Sequence, residues 1–356
     1  MTAKRTSMRE GPLADLFRNT AQEGLQRPDG PEGPQEHRSG PQGFDPNNYL
    51  AVVRVVGVGG AGCNAVNRMV EAGIRGVEFI AVNTDRQALD RSQADVVIPV
   101  GMELTRGLGT GGDPALGEQA VKESEDQVRR ALRGSDLVFI AAGEGGGTGT
   151  GGAPLVAKIA RELGALTLGV VTRPFLFEGT RRMRMAERGI AAMQDVADTI
   201  IVIPNDRLMT VLERGTSMVK AFAVADDLLR QGVQGICDLI TLPGLINVDF
   251  ADVRTIIRGA GNALLGIGYA GGGNRATEAA VAAISSPLLE VNEAAQVVAD
   301  AADPEANIIF GATIDPELEG QVWVTVVAAN LSGSRSAPPR MPAEEPRARP
   351  AARPAP

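Results

Sequence analysis

Residues 143–152 read Gly143-Glu144-Gly145-Gly146-Gly147-Thr148-Gly149-Thr150-Gly151-Gly152. The run sits between a near-continuous apolar stretch, Leu137–Ala142 (LVFIAA), and a stretch with helical character, Ala153–Leu163. Such a density of glycine is costly to order, and it is retained where something must approach the backbone closely. Successive amides of such a loop can cradle a di- or triphosphate, and the two threonine hydroxyls add donors. A loop that is merely flexible is the alternative reading of these ten residues.

Moving outward, the same strand–glycine loop–helix order occurs upstream. Ala51–Val56 predicts a strand, and Gly57-Val-Gly59-Gly60-Ala61-Gly62-Cys63-Asn64 opens a helix that runs to about Ala72. The loop matches G-x-G-x-x-G in the context that gives it meaning, a strand before and a helix N-terminus after. It carries no Lys-Ser/Thr pair of the common phosphate loop. A third glycine-rich segment, Arg106 to Pro114, precedes another helix and could close over a terminal phosphate. Further strands are expected at Val77–Val82, Leu166–Val171 and Thr199–Ile203, and helices at Pro114–Arg133 and Arg181–Val196. Continuous apolar strands alternating with helices specify an α/β fold, a Rossmann-type parallel sheet covered on both faces.

A long helix is predicted from Met218 to Ile240, with Val219, Phe222, Leu229, Val233, Ile236 and Ile240 on one stripe. At ~1.5 Å per residue it spans roughly 35 Å. Asp226 falls on that stripe, either as a frayed edge or as a carboxylate aimed at a polar ligand. Beyond Thr241-Leu-Pro-Gly244 the alternation is lost. Helices are expected at Val253–Gly259, Thr277–Ser285 and Val291–Ala301, and strands at Ala263–Tyr269, Asn307–Ile314 and Gln321–Ala329, an α+β unit. The expected organisation is a disordered extension (1–48), a nucleotide-binding domain (49–217), a connecting helix (218–243), a smaller α+β domain (244–330) and a disordered Pro/Arg-rich tail (331–356).

Composition excludes several classes. The 356 residues are 44% hydrophobic, enough for a large core, but only 3% aromatic, and the net charge is −8. Neither a base-stacking surface nor a DNA-wrapping one is expected, so no nucleic-acid partner is assigned. No stretch approaches the about 18 apolar residues of a membrane span, and no signal-like segment opens the chain, so a cytoplasmic protein without membrane insertion is expected. Two cysteines, Cys63 and Cys237, make no disulfide framework. The single histidine, His37, lies among Gly, Pro and Gln, which leaves no histidine for a hydrolytic triad or a zinc site.

The GGGTGTG run, Asn83-Thr84-Asp85, Thr172 to Arg182, Ile203-Pro-Asn205-Asp206 and Gly244 to Val253 together resemble the tubulin/FtsZ family, and within it the bacterial septation GTPases. The resemblance covers nearly all of Ala51–Ala329. It implies a tubulin-like fold, bound GTP or GDP, and Mg²⁺ held mainly by phosphates and water. It implies that Gly59, Gly60, Ala61, Gly62, Cys63, Asn64, Gly146, Gly147, Thr148, Gly149 and Thr150 hold the nucleotide, with Glu178 and Arg182 on the ribose side. Asn205 and Asp226, helped by Asn64, would read guanine. A carboxylate accepts from the N1–H and the exocyclic amine of guanine, a donor pair that adenine lacks.

Read alone, Asp249 is a candidate helix N-cap and Asp252 a favourable first-turn acid. The resemblance implies instead that Asn247, Asp249 and Asp252 enter the nucleotide site of the next subunit and act on the attacking water. Hydrolysis would then need a head-to-tail homopolymer at the division site. The sequence departs from the family in four places. Roughly 20 residues, enough for one strand and its connections, are absent after Glu290. The tail lacks the apolar-and-basic peptide by which members dock to membrane tethers, so no tether is assigned. The N-terminal extension is long, and Glu144 stands where the family often has an apolar residue. Two other readings fit parts of the sequence. A non-hydrolysing, filament-modulating paralogue fits the missing strand. A nicotinamide oxidoreductase fits Gly57–Gly62 with Asp85 on a ribose.

Overall fold

A computed structural model describes residues 51–209, 212, 215–241, 248–284 and 320–329. The expected extension and tail, Asn247, and the segment around the expected deletion, with the helix at Val291–Ala301 and the strand at Asn307–Ile314, lie outside the described residues.

Among the described residues eight strands form one sheet: β1 (Val53–Val58), β2 (Val77–Asn83), β3 (Val96–Pro99), β4 (Leu137–Gly143), β5 (Leu166–Arg173), β6 (Thr199–Pro204), β7 (Gly261–Gly271) and β8 (Gln321–Ala329). Their order across the sheet is β3-β2-β1-β4-β5-β6-β7-β8. The first six are parallel; β7 joins β6 in parallel through Thr199↔Gly261 to Ile201↔Ala263, and β8 runs antiparallel to β7. Helices of eight residues or more are α1 (Gly59–Glu71), α2 (Pro114–Glu123), α3 (Glu125–Leu132), α4 (Thr148–Glu162), α5 (Thr180–Val196), α6 (Met218–Thr241), α7 (Phe250–Ile257) and α8 (Arg275–Ile284).

The strands are apolar on both sides because both sides are covered. Val53, Val55, Phe79, Leu137 and Phe139 face one way, onto a core completed by Leu229, Val233 and Ile236 of α6. Val56, Val58, Ile80, Val138 and Ile140 face the other, onto Val121 and Val128 of α2 and α3, Val156 of α4 and Met193 of α5. Phe139 is fully buried, and its truncation to alanine would cost about 3–5 kcal/mol.

Three departures from the sequence reading have local causes. The helix expected over Pro114–Arg133 is two helices broken at Ser124 (φ −106°, ψ 18°), a buried residue whose hydroxyl accepts from the Gly101 N–H. β3, four residues long and half exposed, carries too short an apolar run to stand out. The apolar stripe of α6 is buried only in its C-terminal part. Val219 is exposed and Phe222 half-exposed, because the helix there projects past the core towards the rim of a cavity.

Candidate functional site

The C-terminal ends of β1, β4 and β5 open onto a cavity of about 350 Å³, within the range of small-ligand sites. Its floor is made by the two glycine loops. A methyl group built on Gly60 or Gly146 would meet nothing, so the backbone there is open to a ligand. Other glycines of the same run serve packing. A methyl on Gly151 would overlap the Pro114 carbonyl oxygen, and one on Gly147 would overlap the Thr110 hydroxyl. The run thus serves two ends, an open cradle and contact between the start of α4 and the start of α2. At Gly145 the φ of 94° adds a left-handed conformation that few other residues adopt.

The start of α4 is held from both sides. Its Thr148 hydroxyl hydrogen-bonds that of Thr84 (2.6 Å), and its Thr150 Oγ1 accepts from the Gly145 N–H (2.8 Å). The N-terminal amides and dipole of this helix face the cradle, a ready anion site. Thr110, from the third glycine-rich segment, also lines the cavity. Asp113 of that segment is committed to capping α2, accepting from the Ala115 N–H (2.9 Å).

On the opposite wall, Glu178 accepts from the Phe175 N–H (2.9 Å) and pairs with Arg182. Asn205 is buried, and its Oδ1 has no hydrogen-bond partner among the described residues. Asp226 lies 3.6 Å from Arg68 of α1. Burial pushes its carboxyl up to about 6, against the pull of Arg68. Two acceptors, Asn205 Oδ1 and the Asp226 carboxylate, therefore line one cavity with little of their hydrogen-bonding capacity used. Phe222, one turn before Asp226, offers an aromatic edge beside them and packs against Phe175 (5.5 Å, 84°). By periodicity Phe222 falls in the core stripe, and its spacing of four from Asp226 is the sequence signal that ties it to the cavity.

Of the residues expected to hold a ligand, Gly60, Ala61, Gly146, Gly147, Thr148, Gly149, Glu178, Arg182, Asn205 and Asp226 line this cavity. Gly59, Gly62, Cys63, Asn64 and Thr150 do not. Gly59 packs on the Gly149 backbone and Gly62 on the Ala141 carbonyl. The buried Cys63 thiol turns inward to the Gly57 and Val82 carbonyls, and burial pushes it up to about 12. Asn64 is exposed on α1, and Thr150 is taken up by Gly145. Asp249 and Asp252 stand apart from the cavity, exposed at the start of α7. Asp249 occupies the N-cap position, yet its side chain makes no capping hydrogen bond.

Asp85, on which the oxidoreductase reading depended, spends its carboxylate capping a short helix, accepting from the Gln87 and Ala88 N–H groups (2.9 and 3.2 Å). No cluster of three metal-binding side chains occurs among the described residues, and no described helix is long and apolar enough to cross a membrane.

A parallel sheet with an open glycine cradle at its C-terminal edge and a two-acceptor wall defines a nucleotide-binding α/β protein. The comparisons specify which. The GTPase domain of the Tubulin/FtsZ family matches residues 52–213, and the FtsZ family C-terminal domain matches 289–332. An FtsZ dimer from M. jannaschii is 40% identical over 91% of this chain and 93% of that one, with a TM-score of 0.74. A mutant of FtsZ from M. jannaschii is 40% identical over 90% and 95%, with a TM-score of 0.73. CetZ2 from Haloferax volcanii, a GTPγS-bound protofilament, is 25% identical over 66% and 71%, with a TM-score of 0.58. The chain belongs to the tubulin/FtsZ family. It is a GTP-binding cytoskeletal GTPase of cell division, and the oxidoreductase reading falls away.

Proposed function

We propose that this GTPase assembles head to tail and hydrolyses GTP at the contact between subunits. The observation that carries the reading is the separation of the acids from the cradle. Asp249 and Asp252 are exposed, uncommitted to capping, and away from the cavity, so each copy offers acids at one place and a nucleotide at another. A neighbour that brings its α7 acids over the cradle completes the site, and a heterologous contact of that kind propagates as a filament. In that arrangement Asp249 and Asp252, with Asn247, orient and polarise the attacking water.

The nucleotide's phosphates would lie on Gly60, Ala61 and Gly146–Thr150, supported by Gly59, Gly62 and Cys63 behind them. Glu178 and Arg182 would meet the ribose, and Asn205, Asp226 and Asn64 the base. The fit of guanine rests on the orphaned Asn205 Oδ1 and the Asp226 carboxylate, two acceptors for a base edge of donors. Mg²⁺ would be held mainly by the phosphates and water, where it would neutralise phosphate charge. Residues 49–217 would carry the nucleotide, 218–243 the connecting helix and 244–330 the acids, in a cytoplasmic protein at the division site.

GTP turnover per monomer, measured across a protein concentration series with Mg²⁺, tests this. The expected result is a threshold below which the specific rate is near zero. A rate independent of protein concentration would show that one copy holds a complete site.

A further inference from the structure

Glu144 is the second residue of the glycine run, and its neighbours Gly143 and Gly146 to Gly149 line the cavity as it does. The residue is 5% exposed, and neither carboxylate oxygen has a hydrogen-bond partner among the described residues. The carboxylate is wedged between the start of α4 and the middle of α5. A methyl group on Gly189 would overlap Glu144 Oε2 and come within 2.6 Å of the Thr150 methyl. A glycine inside a helix costs about 1 kcal/mol relative to alanine; at 189 it leaves the room this side chain fills.

Among the described residues nothing of opposite charge meets the carboxylate there. The charged residues of α5, namely Arg181, Arg182, Arg184, Glu187, Arg188 and Asp195, are all exposed, as are Lys158, Arg161 and Glu162 of α4. In the cavity, Glu178 is paired with Arg182, and Asp226 lies against Arg68. Arg173, at the end of β5, makes no ion pair with it within 4 Å. Burial pushes the Glu144 carboxyl up to about 7, and the Thr150 hydroxyl, outside hydrogen-bonding geometry, offsets only part of that.

We propose that Glu144 is a proton-binding element of the nucleotide pocket, taking up a proton when the phosphates of the nucleotide dock on the loop that carries it. The cause is electrostatic. A buried, unpaired carboxylate and an incoming polyanion are like charges in a region of low dielectric, and the cheapest relief is to neutralise the carboxylate. By linkage, a group that holds its proton more tightly with nucleotide bound makes affinity fall as the pH rises above the carboxyl's value in the free protein. The fall is at most about tenfold per pH unit. The proposal rests on the nucleotide reading of the cavity and adds a regulator to it.

The test is calorimetric titration of the full chain with GTP, from pH 6 to 8.5, in buffers of differing ionisation enthalpy, alongside Glu144→Gln and Glu144→Met. The difference between chains removes the protons belonging to GTP itself and to Asp226. The expected result is that the native chain takes up as much as one more proton than either variant at about pH 8. It should also lose about tenfold more GTP affinity than they do between pH 7 and 8.5. Equal proton counts and parallel pH profiles in the native chain and whichever variant folds would overturn the proposal. Absence of GTP binding by the native chain even at pH 6 would overturn the nucleotide reading instead.

Discussion

Two pairs of acids divide this molecule. Glu144 and Asp226 sit in the cavity wall, buried enough that both carboxyls are pushed towards neutrality. Asp249 and Asp252 sit at the start of α7, open to solvent. The residue type is nearly the same, and the environment differs in what it allows. A buried carboxylate can discriminate, because leaving it unmatched is costly. An exposed one discriminates little until a second surface covers it. The first pair suits recognition within one copy, and the second suits chemistry that waits for another.

That division can be broken experimentally, and the largest effect is expected at the exposed pair. Asp252→Ala should lower GTP turnover by about 10²–10⁴-fold while leaving the Kd for GTP unchanged. A variant that turns over normally would remove Asp252 from the chemistry, and one that loses GTP binding would place it in the pocket. Next, Asp226→Ala should cut the preference for GTP over ATP by roughly a hundredfold, read from competitive binding. An unchanged preference would assign the base edge to Asn205 alone.

The third test concerns stability. The folded value of Glu144, about 7, lies above its ordinary value of 4.5. The folded state therefore holds the proton more tightly than the unfolded one, and stability falls as pH rises from about 4.5 through about 7. Glu144→Met should accordingly raise stability in the nucleotide-free protein at pH 8 by about 3 kcal/mol relative to its effect at pH 4. Denaturant melts at the two pH values check this, and a pH-independent difference would mean the carboxylate is not desolvated in solution. The smallest effect is expected at a cap outside both pairs. Asp85→Ala should cost about 1 kcal/mol in the same melts and leave GTP affinity unaltered.

Much of this was legible in the sequence, because the informative features are local. Leu137–Ala142 announces a strand buried on both faces, and the glycine run after it announces a cradle, without reference to anything distant. What was missed depends on neighbours remote in the chain. The room for Glu144 is set by Gly189, 45 positions away. Phe222 belongs to the core by periodicity and leaves it only because α6 outruns the sheet that would cover it. Cys63 and Asn64 continue the loop motif in the sequence, but α1 turns one inward and the other to solvent. Periodicity assigns a residue to a face of its own element; it does not say where that element's neighbour ends.

Helix α6 packs closely on side chains of β5, β7 and β8 at two of its glycines. A methyl on Gly235 would come within 2.7 Å of the Thr325 side chain, and one on Gly232 within 3.0 Å of Leu265. Those two glycines seat the helix backbone directly on the strands, while Phe222 and Asp226 reach the cavity at its other end. Contact this close leaves no soft layer to absorb motion. A shift of the helix at its Asp226 end would therefore be passed on to the strands β7 and β8 some turns away. A bulky residue at 235 would act as a wedge against Thr325, disturbing the β8 end without touching the cavity.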